Sequence, residues 1–218
     1  MFRRKLVTMR DLFKSRTGQI LGSDPLAVWL QAISTDPDVS RIVEIGAWEG
    51  KGSTRVFAES VLTRLDAGSV SVLSLEASKQ RAQRARKRNA KFPFVQIIWG
   101  SIVTERDLDS NSLNSDESNW ISDDIEALKD CPQVFGLIPL SIDALFLDGG
   151  EFSTKKEYDL LANRVTKWLI LDDTSTRKCF AIAKEIRTGG TPFQIIVDSS
   201  ERNGFLIAVK KERFSSEN

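Results

Sequence analysis

Acidic residues stand at the ends of four runs of apolar and β-branched residues. Glu44 lies in RIVEIG, Glu76 ends VSVLSLE, Asp148 follows IDALFL, and Asp172 and Asp173 follow KWLIL. Carboxylates can bind an ammonium or a hydroxyl group, ligate a cation through oxygen, or accept a proton during catalysis. The three aspartates would repel one another at close range unless a cation or a proton lies among them.

A glycine-containing segment, VEIGAWEGKGST at residues 43–54, connects the first of these runs to a predicted helix and is called the first loop below. Backbone N–H groups at a helix N-terminus can face a ligand. Gly46 allows a tight turn there, and Gly50 and Gly52 allow a ligand to approach the backbone closely. The segment is not a dinucleotide motif, because Trp48 stands at the second glycine position of G-x-G-x-x-G. It is not a P-loop either, because no G-K-[ST] has the required spacing.

The carboxylates of these segments have more than one interpretation. Glu44, two residues before the first glycine of the loop, is unsuited to binding a pyrophosphate and suits a positively charged ligand such as the ammonium of an amino acid. It could instead be a strand-end carboxylate that is satisfied by backbone amides. Asp172 and Asp173 could in the same way cap the helix that follows them.

The composition excludes several kinds of chemistry. The 218 residues contain no histidine, which removes catalytic triads and dyads that need a histidine base, and also His-ligated metals. Two cysteines are too few for a disulfide framework, so we expect a reducing, cytoplasmic compartment. A net charge of +1 gives no electrostatic case for binding nucleic acid or membranes. No apolar run approaches the roughly 20 residues that a membrane span needs.

Short β-branched segments alternate with helical segments along the chain. Strands are predicted at residues 41–46, 70–76, 94–99, 142–147, 167–171, 193–198 and 204–210, and helices at residues 53–65, 78–91, 154–165 and 176–187. Helices between strands predict a parallel sheet with right-handed crossovers. The last two strands lie too close for a crossover, with Asn203 and Gly204 at the turn, and predict an antiparallel hairpin. The sequence therefore predicts an α/β domain with a mostly parallel seven-stranded sheet that ends in this hairpin.

These features resemble the class I S-adenosylmethionine-dependent methyltransferases, over roughly residues 25–210. In that family one strand ends in [DE]-x-G before a glycine-containing loop, and the next ends in an acidic residue that holds the ribose hydroxyls. Glu44 and Gly46 match the first feature, and Glu76 matches the second. The resemblance implies a Rossmann-like methyltransferase fold, S-adenosylmethionine as the cofactor, and methyl transfer as the activity.

The segments IDALFLDGGEFSTKKEYDLL and WLILDDT, together with G-x-W-x-G in the first loop, are similar to the small O-methyltransferases related to macrocin O-methyltransferase. Those enzymes show D-G-x-H after the fourth strand and D-D after the fifth. The resemblance implies that Asp148, Asp172 and Asp173 hold a divalent metal such as Mg²⁺. Where those relatives carry histidine, this chain has Glu151, which we expect to act as a general base or to bind the acceptor. An ordinary glutamate is a poor base toward an alcohol.

The resemblance thus implies a complete site. The catalytic residues are Glu151 and Asp148, the metal ligands are Asp148, Asp172 and Asp173, and the cofactor-binding residues are Glu44, Gly46, Ala47, Trp48, Gly50, Ser53, Glu76, Gly100, Ser101 and Asp148. The first loop would bind the methionyl end of the cofactor, Glu76 the ribose, and Gly100 and Ser101 the adenine. The expected acceptor is a hydroxyl of a small molecule, such as a sugar or a sugar-bearing metabolite.

Two alternative functions remain open. A cofactor-binding protein of the same fold without catalysis would account for the missing histidine. An RNA methyltransferase would use the helix at residues 78–91, which carries seven basic residues and no acidic one. The chain has no N-P-P-Y-like motif, and the acidic residues 104–119 offset the charge, so we expect no nucleic-acid partner. Whether the chain forms a homo-oligomer is left open.

The chain divides into three predicted parts. Residues 1–24 form a basic N-terminal helix or cap, residues 25–213 the methyltransferase domain, and residues 214–218 a tail. Within the domain, residues 104–119 read TERDLDSNSLNSDESN and show no helical or strand periodicity. They predict a mobile excursion after the third strand, followed by a short helix near residues 123–129.

Overall fold

The computed structural model describes Ile20, residues 22–110, Leu113 and residues 115–211. The predicted N-terminal helix or cap lies largely outside these residues, and the predicted tail lies wholly outside them. No helix in the described ranges is long and apolar enough to cross a membrane. Both cysteines are buried and carry free thiols.

Strands and helices alternate along the described chain. The strands are β1 (Arg41–Ile45), β2 (Ser71–Glu76), β3 (Val95–Trp99), β4 (Ile142–Leu147), β5 (Val165–Asp172), β6 (Phe193–Ser199) and β7 (Phe205–Lys210). The α-helices are α1 (Pro25–Thr35), α2 (Ser53–Leu62), α3 (Lys79–Asn89), α4 (Ser115–Lys129), α5 (Thr154–Leu161) and α6 (Arg177–Arg187). Short 3₁₀ turns lie at Ala67–Ser69, Glu105–Asp107, Phe135–Leu137 and Ala162–Arg164.

The strands form one sheet in the order β3-β2-β1-β4-β5-β7-β6. Strands β1 to β5 pair in parallel, whereas β7 pairs antiparallel with both β5 and β6. The predicted seven-stranded sheet and its antiparallel hairpin are therefore confirmed. The chain progresses in opposite directions from β1 and from β4, so the carboxyl ends of these two strands border a topological switch point, where open α/β sheets bind their ligands.

The central strand β4 shows how helices come to cover both faces of the sheet. All six of its residues are buried, and successive side chains point to opposite faces. Leu145 and Leu147 belong to an apolar cluster that contains residues of α5 and α6. Ala144 and Phe146 belong to a second cluster, which contains residues of α1 and α2. The result is a three-layer domain whose loops meet at the carboxyl edge of the sheet.

Several element boundaries differ from the sequence prediction, among them those of α5, β5 and α4. Helix α5 ends at Leu161, and β5 already begins at Val165. Helix α4 begins at Ser115 rather than near residue 123, so it includes the last part of the predicted excursion. Ile121 and Leu128 are buried on this helix. Because these apolar side chains lie in its later turns, its polar start shows no periodicity in the sequence.

Candidate active site

A cavity of about 550 Å³ opens at the carboxyl edge of the sheet, at the switch point between β1 and β4. The predicted site residues that line it are Gly46, Ala47, Trp48, Ser53, Glu76, Gly100, Ser101, Asp148, Glu151 and Asp173. The other predicted site residues, Glu44, Gly50 and Asp172, are not part of its lining. The structure therefore brings most of the predicted residues together around one space.

The turn after β1 packs closely against the ends of β2 and β4. The N–H groups of Gly46 and Ala47 both donate to the carbonyl of Leu75 at the end of β2. Gly46 has φ +97°, and a Cβ built on it would overlap the carbonyl oxygen of Asp148. Only glycine fits this backbone conformation and this close approach.

Glu44 lies behind this turn and is completely buried. Its carboxylate accepts hydrogen bonds from the hydroxyls of Ser53 and Thr54, at the start of α2. Burial raises its pKa to about 7, against the effect of these hydroxyls. In this position Glu44 fastens the N-terminus of α2 to β1. A contact between Glu44 and the ammonium of a ligand stays a prediction.

Gly50 packs closely against helix α3. A Cβ at this position would lie 2.5 Å from Asn89 Nδ2 and 2.9 Å from Ala85 Cβ, both on α3. The Asn89 amide also donates to the Gly50 carbonyl at 2.9 Å. This glycine therefore permits a close approach to helix α3, and its predicted contact with a ligand stays a prediction.

Glu76 connects the end of β2 to the first loop. Its Oε2 accepts from the backbone N–H of Trp48 at 2.7 Å, and its Oε1 accepts from that of Ser78 at 2.9 Å. Burial raises its pKa, although these hydrogen bonds and the charge of Arg81 act in the opposite direction. A carboxylate has about four acceptor positions, so both oxygens can accept further hydrogen bonds. Glu76 can thus hold a vicinal diol that enters the cavity.

Trp48 adopts a backbone conformation that is rare for a residue with a side chain, with φ 48°. Its indole ring is 42% exposed, and the guanidinium of Arg81 lies 3.5 Å from the ring centroid. Both residues line the cavity. Together with the Trp48–Glu76 hydrogen bond, this stacking holds the aromatic ring at the cavity mouth.

Gly100 and Ser101 border the cavity beyond β3. The Gly100 N–H donates to the carbonyl of Glu76, and Ser101 exchanges backbone hydrogen bonds with the segment at Pro132 and Val134. A Cβ on Gly100 would lie 2.5 Å from Val134 Cγ1. These contacts fix the two residues next to Glu76, and their predicted role at the adenine stays a prediction.

The three predicted metal ligands do converge. Single carboxylate oxygens of Asp148, Asp172 and Asp173 all lie within 4.8 Å of one another. The ammonium of Lys178, in the first turn of α6, is 2.7 Å from Asp148 Oδ1 and 2.7 Å from Asp173 Oδ2. Arg202 Nη2 lies 3.4 Å from Asp172 Oδ2. Two cationic side chains, Lys178 and Arg202, therefore lie among the three carboxylates and reduce their mutual repulsion.

The charges in this cluster shift one another's pKa values. Burial and the charges of Asp148 and Asp173 raise the pKa of Asp172 to about 7. Against the effect of burial, Lys178 holds the pKa of Asp173 below its usual value. In return, the two aspartates hold the pKa of Lys178 well above its usual value, although burial opposes them. Lys178 therefore remains an ammonium at neutral pH.

Glu151 also lines the cavity, and its Oε1 accepts from the backbone N–H of Lys178 at 3.2 Å. Two further acids nearby were missed in the sequence. Glu157 is 5% exposed, and its Oε2 has no hydrogen-bond partner among the described residues. Burial raises the pKa of Glu157 to about 7, and burial likewise raises the pKa of Asp124. This side of the cavity is therefore lined with hydrogen-bond acceptors.

Gly149 explains why the acid at position 157 fits there. A Cβ on Gly149 would lie 2.5 Å from Glu157 Oε2, and a Cβ on Gly150 would lie 2.8 Å from Asp124 Oδ2. The two carboxylates thus occupy the space that side chains at the glycine pair would need. The pair is more than a turn, because it allows both acids to pack against the backbone.

The basic face of α3 is used largely inside the molecule. Arg84 and Arg88 each form an ion pair with Glu49 at 2.8 Å. Arg86 donates to the carbonyl of Ile97, and Arg81 stacks on Trp48. These contacts attach α3 to the first loop and to β3, so four of its arginines have partners within the protein.

No family model matches the chain, and no curated protein matches its sequence. Its fold does match solved structures. An O-methyltransferase from Bacillus cereus, in complex with SAH, is 17% identical over 86% of this chain and 82% of its own, with a TM-score of 0.54. An SAH-bound methyltransferase from Podospora anserina is 13% identical over 86% and 78%, with a TM-score of 0.57. A SAM-dependent O-methyltransferase from Thermotoga maritima is 15% identical over 89% and 68%, with a TM-score of 0.52.

These similarities show the class I methyltransferase fold, with its mostly parallel seven-stranded sheet and antiparallel hairpin. The fold class predicted from the sequence is confirmed. The narrower resemblance to relatives of macrocin O-methyltransferase stays a prediction, as do the individual roles of the site residues.

Proposed function

We propose that the protein is an S-adenosylmethionine-dependent methyltransferase that methylates a hydroxyl group of a small molecule. The observation that carries this proposal is the position of Glu76. Its carboxylate ends β2, is fixed by two backbone N–H groups, keeps acceptor positions for a diol, and borders the cavity beside the Gly46 turn. Two of the solved structures with the same fold contain SAH.

The parts of the cofactor would be held by different walls of the cavity. Glu76 would accept hydrogen bonds from the ribose hydroxyls, and Gly100 and Ser101 would border the adenine. The backbone of the first loop, from Gly46 to Gly52, would hold the methionyl end, with the Trp48 ring next to it. S-adenosylmethionine, when bound, supplies an electrophilic methyl group on a sulfonium.

The acid-lined side of the cavity suits a hydroxyl-bearing acceptor. An ionised carboxylate accepts hydrogen bonds and donates none, and a hydroxyl group can donate one to it. Asp148 and Glu151 both line the cavity, and in this proposal Glu151 would take the hydroxyl proton as the acceptor oxygen attacks the methyl carbon. The bound cofactor would supply the methyl group, and its sulfur would keep the electron pair of the carbon–sulfur bond. Alignment of the two reactants and removal of the proton are the contributions of the protein.

The acceptor class extends the proposal to a sugar or a sugar-bearing metabolite. Asp124, Glu151 and Glu157 offer several acceptor oxygens within one part of the cavity, which matches a molecule with several hydroxyl groups. An RNA acceptor gains no support from α3, since its arginines are engaged with Glu49, Trp48 and Ile97.

Replacement of Glu76 tests the cofactor site. We expect Glu76→Gln to weaken the binding of S-adenosylhomocysteine by about tenfold to a hundredfold, because hydrogen bonds to a charged group contribute roughly 1.5–3 kcal/mol. Isothermal titration calorimetry measures this change. The matched control is Glu59→Gln, on the exposed side of α2, which should bind like the wild type. If the wild-type protein binds neither S-adenosylmethionine nor S-adenosylhomocysteine, the proposed function is wrong.

A second measurement separates catalysis from binding alone. The purified protein is incubated with S-adenosylmethionine carrying a labelled methyl group and a panel of sugars and sugar-bearing metabolites, and products are identified by mass spectrometry. Transfer to an oxygen supports the proposal. Cofactor binding without transfer to any hydroxyl compound favours the cofactor-binding protein without catalysis.

A further inference from the structure

The position where the three aspartates converge is already held by a cation of the chain itself. Lys178 Nζ lies 2.7 Å from oxygens of both Asp148 and Asp173, and its side chain is 13% exposed. An ammonium has three N–H donors, and these two contacts use two of them. Lys178 also lines the cavity, so the remaining donor is next to the space where a ligand would bind.

A divalent ion does not fit the cluster while Lys178 keeps this position. Mg²⁺ binds carboxylate oxygens at about 2.0–2.1 Å and requires nearly octahedral geometry. An ion bound to both Asp148 Oδ1 and Asp173 Oδ2 would compete for these oxygens with the ammonium nitrogen of Lys178, which is 2.7 Å from each of them. It would also meet a like charge in a partly buried place, where such repulsion is strong.

The surrounding groups support the lysine in this role. The backbone N–H of Lys178 donates to Glu151, which anchors the residue at the start of α6. Arg202 supplies a second positive charge at Asp172, and the Asn203 amide donates to Asp173 Oδ1 at 3.0 Å. Three carboxylates thus face two cationic side chains and one amide donor. Groups of the protein thus offset most of the negative charge of the cluster, although Arg202 also pairs with Asp24 at 2.8 Å.

We propose that Lys178 takes the place of a divalent metal in this site and makes the protein independent of one. The ammonium holds Asp148 and Asp173 together at the carboxyl edge of the sheet and presents a fixed positive charge to the cavity. That this charge faces a methyl acceptor rests on the proposed function, whereas the exclusion of metal does not. Lys178 is a positioning residue for the aspartates, and it keeps its proton throughout.

The test is to remove the lysine and ask whether a metal replaces it. Purified wild-type protein, Lys178→Ala and Lys178→Gln are titrated with Mn²⁺, which is detected by electron paramagnetic resonance. The wild-type protein should leave Mn²⁺ free. Lys178→Ala should bind it about a hundredfold more tightly, because the oxygens of the three aspartates become accessible and a like charge is removed. Lys178→Gln gives the same comparison with a longer side chain if the alanine variant does not fold.

Two control variants assign the bound ion to the cluster. Lys184→Ala changes an exposed lysine on the same helix and should behave like the wild type. In the double variant Lys178→Ala, Asp173→Asn, one carboxylate of the cluster is missing, and most of the gained affinity should be lost. Equal Mn²⁺ binding by the wild type and both Lys178 variants, including no binding by any of them, would overturn the proposal.

The binding of S-adenosylhomocysteine is measured on the same samples. This measurement tests the proposed function independently. If loss of Lys178 leads to Mn²⁺ binding but no variant binds this ligand, the inference about the lysine stands and the methyltransferase proposal is wrong. The opposite pattern, with ligand binding and Mn²⁺ bound equally by all variants, would retain the proposed function alone.

Discussion

Gly46→Ala is expected to lower the free energy of unfolding by about 3 kcal/mol or more and to remove measurable binding of S-adenosylhomocysteine. A residue with a Cβ loses roughly 1–2 kcal/mol in a left-handed conformation, and Gly46 has φ +97°. The new Cβ would also overlap the carbonyl oxygen of Asp148, and overpacking of this kind costs about 1–3 kcal/mol. To relieve the overlap, the first loop has to move away from the end of β4.

This movement affects the cavity as well as stability, because the same turn carries Trp48 and the N–H group that holds Glu76. Urea denaturation measures the free energy of unfolding, and calorimetry measures ligand binding. Gly68→Ala is the matched control, since a Cβ there would meet no atom within 4 Å. A Gly46→Ala protein with wild-type stability and affinity would show that this turn does not define the cavity.

The parallel sheet was predictable because its signals are local and repeated. Runs such as ALFL at residues 144–147 and WLIL at residues 168–171 are apolar throughout, which is typical of strands covered on both faces. Once these strands are parallel, residues that follow them must meet at one edge of the sheet. For this reason Glu76, Asp148 and Asp173 could be placed in one site before any contact was known.

Residues on helices were harder to place. Lys178 is one of several basic residues around α6, and Glu157 lies in the polar sequence TKKEYD. No motif marks either residue, and their contacts depend on how each helix is rotated against the sheet. The available signals were indirect. Asp172 and Asp173 indicated that a cation lies nearby, and Gly149 and Gly150 indicated that large side chains pack against the backbone there.

Glu44 is a residue that a sequence motif did indicate, but its contacts within the protein could not be predicted. Its place after β-branched residues and before a glycine matches the motif, and the motif suggested a ligand contact. In the structure each carboxylate oxygen accepts a hydrogen bond from a hydroxyl, that of Ser53 or that of Thr54, because the start of α2 packs behind the turn. The ligand contact stays a prediction. A single sequence does not show which of two nearby groups, a ligand or a helix terminus, reaches a carboxylate first.

Stability should depend on pH through the buried acid Glu157. Its pKa is raised from 4.5 to about 7 in the folded protein, mainly by burial. Between these values the native state holds a proton that the unfolded state has lost, so the free energy of unfolding decreases as pH rises from about 4.5 to about 7. At 1.36 kcal/mol per pKa unit, this loss is about 3 kcal/mol.

Glu157→Gln removes this titration and should isolate its effect. We expect the stability of the variant relative to the wild type to improve by about 3 kcal/mol between pH 4.5 and pH 8. Any constant cost of the amide cancels in that comparison. Urea denaturation at several pH values measures the difference, and Glu59→Gln, which changes an exposed glutamate, should show no such trend. A difference between Glu157→Gln and wild type that stays constant with pH would mean that Glu157 keeps its charge in the folded protein and that the cavity wall beside Gly149 is more polar than its contacts indicate.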